Sequence, residues 1–116
     1  MNLQMKINGQ VLSATLADNA AVRDFLALLP LTLDLEDYAS TEKIAQLPNK
    51  LSTAGTPAGM TPSVGDITYY APWGNLAIFY RNSSYAKGLV KLGRIEGSVQ
   101  MPRGPLKAHI EVAGKQ

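Results

Sequence analysis

Hydrophobic and polar positions alternate from the first residues of the chain. Leu3, Met5 and Ile7 fall on one face and Asn2, Gln4 and Lys6 on the other, the period of a half-buried strand. Asn8-Gly9 follows, a pair that tolerates the positive φ angles of a type I′ hairpin turn. With that turn, Met5 is expected opposite Leu12 and Leu3 opposite Ala14. The apolar face then reads Leu3, Met5, Ile7, Leu12, Ala14 and Leu16, broken only by Gln10, and Val11 is the apolar exception on the polar face.

The period then changes. Val22, Phe25, Leu26 and Leu29 recur at helical spacing behind Asp18 or Asn19 as N-cap, and Pro30 closes the segment, which predicts one helix over about 19–29. Leu31, Leu33 and Leu35 alternate with Thr32, Asp34 and Glu36 in a strand leaving that helix, and Glu42–Leu47 reads as a further short strand. Pro48 to Gly65 is rich in Pro, Gly, Ser and Thr and reads as a long loop, of the kind that often carries function.

Ile67–Tyr70 and Leu76–Tyr80 form a pair of strands around an Ala71–Asn75 turn. The unbroken apolar run of the second suits a strand buried on both faces or one crossing a barrel seam. Tyr85–Lys91 fits a loop or a short helix, Leu92–Ile95 a short strand, Val99–Pro105 a turn, and Leu106–Val112 a terminal alternating strand. Seven or eight short strands and a single helix predict a mainly β fold, a small closed or nearly closed barrel in which sheet edges are protected. The 116 residues are the length of one domain, expected to span 1–116.

Composition narrows the chemistry. The chain has no cysteine, which removes disulfides, thiolate nucleophiles and zinc ribbons. The net charge is +2 with basic residues scattered, and the densest stretch, Arg81–Arg94, holds only four, so a nucleic-acid partner is not expected. Met1–Leu16 lacks the pattern of a signal peptide and no stretch approaches a membrane span, so a cytoplasmic location and no membrane partner are expected.

No cofactor and no metal site are expected. His109 is the only histidine, on the outward face of the last strand, and of the neighbouring Asp34, Glu36 and Asp37 the first two share a strand face that reads as solvated rather than as a ligand set. No nucleophile elbow and no phosphate-cradling glycine loop is present. Aromatic residues concentrate instead around the central strands. Tyr70, Trp73 and Phe79, with Arg81, Arg94 and the Pro48–Gly65 loop, are the candidate lining of a barrel-side groove for a peptide or small-molecule ligand. Phe79 fits the barrel core better than a groove, Trp73 fits a turn and a groove equally well, and Arg94 fits an outward solvated position better than a cleft.

The ordered runs DNAAVRDFLALLPLTLDLEDY, PSVGDITYY, LAIFY and LGRIEG resemble the short bacterial cyclophilin-like domain family, over roughly Leu3 to Val112. The resemblance implies a cyclophilin-like barrel packed by one main helix, in a family of mostly unassigned function. Cyclophilins that isomerise prolyl bonds carry a catalytic arginine in a Phe-His-Arg run, and that run is absent here. The expectation is therefore a non-catalytic binding or accessory module with no catalytic residue. A weak peptidyl-prolyl isomerase using Arg81 or Arg94, and a structural or oligomer-forming module, are the alternatives.

Overall fold

In a computed structural model, residues 1–114 are described. The Asn8-Gly9 turn adopts φ 51° and 78°, the left-handed pair that a type I′ hairpin requires. It joins β1 (Asn2–Ile7) to β2 (Gln10–Leu16) with Leu3 opposite Ala14 and Met5 opposite Leu12, the register the pattern predicts. Leu3, Met5, Ile7, Ala14 and Leu16 are buried, and Val11 stays exposed.

The helix α1 (Ala20–Ala27) starts at Asn19, whose side chain accepts the Val22 N–H at 2.8 Å. Ala21, Val22 and Phe25 enter the core cluster, with Leu26 and Leu29 packed at its margin. The helix is shorter than the pattern suggests. The Leu28 and Leu29 N–H groups bond three residues back, to Phe25 and Leu26, so the last turn tightens before Pro30, which cannot continue it.

The remaining strands are β3 (Leu31–Tyr38), β4 (Glu42–Gln46), β5 (Gly59–Met60), β6 (Asp66–Tyr70), β7 (Asn75–Phe79), β8 (Ala86–Lys87), β9 (Leu89–Ile95) and β10 (Leu106–Val112). Eight of the ten close into an antiparallel barrel in the order β1-β10-β3-β4-β7-β6-β9-β2, and β5 pairs only with β8. Two expectations change here. The 48–65 segment is not all loop, because Gly59 and Met60 pair with Lys87 and Ala86, and Leu51 within it is buried, its N–H donating to the Tyr69 hydroxyl. Residues 85–91 are neither loop nor helix. They break at Gly88, at φ 87°, and then enter β9, whose Leu89–Lys91 pair with β6.

The inner face is filled by alternate residues of every barrel strand, among them Leu35, Ile67, Tyr69, Leu76, Ile78, Leu92 and Ile110. β7 is buried on both faces, as its continuous apolar run predicts. Leu76 and Ile78 face inward, and Ala77 and Phe79 belong to a second apolar cluster with Leu89 on the outside of the wall.

The barrel closes where Leu16 of β2 meets Gly93 of β9. A Cβ at Gly93 would run into the Thr15 carbonyl oxygen and lie 3.2 Å from the Leu16 Cα, so only glycine allows the strands to hydrogen-bond there. Gly93→Ala is expected to lower unfolding free energy by about 2 kcal/mol in urea denaturation. A variant as stable as the parent would show that this seam can part without penalty.

Candidate outer-wall groove

Pleating turns the alternate residues of the β4–β7–β6–β9 wall outward: Glu42 and Ile44, then Asn75, Ala77 and Phe79, then Tyr70, then Leu89. Solvent would ordinarily meet them. Here the β5–β8 ribbon lies over part of this face, with Met60 and Ala86 packed against Ala77, Phe79 and Leu89. The uncovered remainder is a groove of about 170 Å³. Ile44, Phe79, Leu89 and Ala86 make its apolar surface, Tyr38, Tyr70 and Trp73 its aromatic wall, and Pro62, Ser83 and Ser84 complete the lining.

The aromatic wall is an ordered corner. Trp73 meets both Tyr38 and Tyr70 edge to face, with ring centroids 5.2 Å apart and planes at 85° in each pair. Its backbone is pinned by the turn between β6 and β7, where Gly74, at φ 69°, donates its N–H to the Tyr70 carbonyl at 2.9 Å. From β4, the Gln46 side-chain amide donates to the Trp73 and Gly74 carbonyls at 3.2 and 3.1 Å. Trp73 is still 49% exposed and Tyr38 44%, so a guest could reach both rings.

Two polar groups share this apolar space. Burial pushes the Glu42 carboxyl above the ordinary glutamate value, opposed by a hydrogen bond from the Thr41 hydroxyl. Asn75 is 5% exposed, and its buried Oδ1 has no hydrogen-bond partner among the described residues. A buried acceptor left unpaired costs roughly 1–3 kcal/mol.

The profile of the Cyclophilin-like family matches residues 5–111. The chain belongs to that family. It also resembles the solution structure of a hypothetical protein from Archaeoglobus fulgidus at TM-score 0.68 and 15% identity, over 97% of this chain and 95% of the other. At that identity the likeness concerns the fold alone. No curated protein matches the sequence.

Within this cyclophilin-like barrel the residues singled out by sequence separate into two groups. Tyr70, Trp73 and Phe79 come together in the groove, with Phe79 on its floor outside the barrel core. Arg81 and Arg94 do not join them. Arg94 faces out from the opposite end of β9, opposite Asp66 rather than Tyr70, beside Thr15 and Glu96. Its guanidinium donates to Asp66 at 2.9 Å. Arg81 lies past the end of β7, in a shallow depression with Gln10, Tyr80 and Val99. Of the 48–65 segment, Pro62 lines the groove and Met60 supports it.

Tyr38, Glu42, Ile44 and Asn75 were not singled out by sequence. They enter only because β4 pairs with β7, a contact that no local pattern announces. His109 lies on the outer surface, between the Thr32 hydroxyl at 2.9 Å and Glu111 at 3.1 Å, away from the groove. Among the described residues no cluster of three or more potential metal ligands occurs, and no helix is long and apolar enough to cross a membrane.

Beside the groove, β4 sends Lys43 the other way. Its side chain is fully buried, donating to the Gly104 carbonyl at 2.6 Å and to Asp37 at 2.9 Å, with the Tyr80 ring 5.9 Å away. Asp37 also accepts the Gly104 N–H and the Tyr80 hydroxyl. Asp34 and Glu36 are exposed as expected, whereas Asp37 joins this cluster. The Gly104 N–H first, then Lys43 and Tyr80, hold the Asp37 carboxyl at about 2, down from 3.8.

Because the folded value lies below the unfolded one, the stabilisation is complete above roughly pH 4 and is lost as pH falls through about 2. Asp37→Asn is expected to lower the urea midpoint at pH 7, with its gap to the parent narrowing from about pH 4 downward. A gap that is constant with pH would show that the carboxylate charge is not what the cluster uses.

Proposed function

We propose that the domain is a non-catalytic binding module whose outer-wall groove holds one side-chain-sized group of a peptide or small-molecule ligand. The half-exposed Trp73 and Tyr38 rings beside an apolar floor of ligand-sized volume carry this reading. The Asn75 side-chain amide in the lining offers a ligand a neutral hydrogen-bonding group. The volume agrees, since about 150 Å³ suffices for a benzene-sized guest. Isomerisation by Arg81 or Arg94 would need a guanidinium at the groove, and both side chains line other depressions.

The chain has a single tryptophan, and it stands in the groove wall, so its emission is a direct reporter of occupancy. A library of blocked tripeptides is expected to contain members that shift Trp73 fluorescence together with the amide signals of Ile44, Asn75 and Leu89. Asn75→Leu should abolish that response while raising the stability of the free domain by about 1 kcal/mol, because it removes an unsatisfied group without opening a cavity. If no member perturbs the groove, or if Asn75→Leu destabilises the fold, the groove is a packing feature and the binding reading fails.

A further inference from the structure

The register of β4 on β7 gives the groove a direction. Glu42 lies opposite Phe79, Ile44 opposite Ala77, and Gln46 opposite Asn75. Glu42 and Asn75 therefore mark opposite ends of the floor, about 13 Å apart along the strands, with apolar side chains between them. At the Glu42 end stands Tyr38, its partner across β3 and β4. At the Asn75 end stands Tyr70, its partner across β6 and β7. Trp73 touches both tyrosines.

The two ends ask for different chemistry. Glu42 brings a carboxylate beside the half-exposed Tyr38 ring, and among the described residues no lysine, arginine or histidine lines the groove to neutralise it. Lys43, its neighbour in sequence, points through the wall and is committed to Asp37 and Gly104. A carboxylate beside an exposed tyrosine ring is a setting that attracts an organic cation. An ammonium there would also offset the burial that now pushes the Glu42 carboxyl up. Asn75, being neutral and buried, suits an uncharged polar group, since a second charge would be poorly solvated there.

Resting on the binding reading above, we propose that the occupant is the side chain of a peptide lysine. Its ammonium sits at Glu42 beside the Tyr38 ring, its methylenes lie over Ile44, and a backbone amide of the peptide reaches the Asn75 side chain. A neutral aliphatic side chain would leave Glu42 unmatched, and a free diamine would place a second charge where only an amide is provided for.

Three probes separate these cases when titrated while following Trp73 fluorescence and groove amide shifts: Nα-acetyl-lysine N-methylamide, its norleucine counterpart, and cadaverine. The lysine compound is expected to bind about tenfold more tightly than the norleucine compound. Glu42→Gln should erase that preference without weakening the norleucine compound, its amide spectrum confirming the native fold. Equal binding of the lysine and norleucine compounds would overturn the lysine proposal and leave the binding groove standing. Cadaverine binding more tightly than the blocked lysine would overturn it in favour of a free diamine. If none of the three perturbs Trp73, the lysine proposal fails, and the tripeptide library then decides whether the groove binds anything else.

Discussion

Closure of the barrel is the constraint on which everything else rests, and it depends on how closely two backbones can approach at Gly93. Eight strands can each be paired on both sides only if every neighbouring pair in the ring meets. The tightest of these junctions is β2 against β9, where Leu16 and Gly93 face each other with no room for a side chain. With closure secured, inward residues fill a single apolar interior and outward residues are set in fixed rows. The groove consists of such rows, so its geometry is inherited from the barrel rather than built by a flexible loop.

Burial on both sides of β7 is the second organising fact. Its inner residues belong to the barrel core and its outer residues to the smaller cluster under the β5–β8 ribbon. A wall apolar on its outside needs a cover, and the ribbon supplies most of one. The groove is where the cover stops, and this explains why Phe79 is both well buried and part of a ligand-sized space.

Local elements were readable from sequence because their determinants are local. The Asn8-Gly9 turn, the Asn19 cap and the Leu31–Leu35 alternation each need only a few neighbouring residues to be recognised. Tyr70, Trp73 and Phe79 came out together because the two strands that carry them share one short turn. The other half of the groove is supplied by β3 and β4, and that adjacency follows from barrel order, which no window of sequence contains.

The arginines stand apart from the aromatic residues for a related reason. Nearness in sequence to the aromatic strands does not survive pleating and strand length. Arg94 lies at the Asp66 end of β6, four residues from Tyr70, beyond an irregularity in the β6–β9 register that shifts the inside–outside pattern. Lys43 meets the opposite demand. Its place in an alternating strand dictates that it point inward, and the chain accommodates it with Asp37, Tyr80 and the Gly104 carbonyl instead of turning it to water.

Because the cover is a two-stranded ribbon that pairs only with itself, part of the groove's outline is set outside the barrel wall. Substitutions in β5, β8 or the Ser83-Ser84 rim change the shape of the opening while leaving the inner apolar cluster intact. A scaffold arranged this way can be retuned to new guests by exchanging a few residues of its outer coat, and the closed interior sets no limit on how far that drift can go.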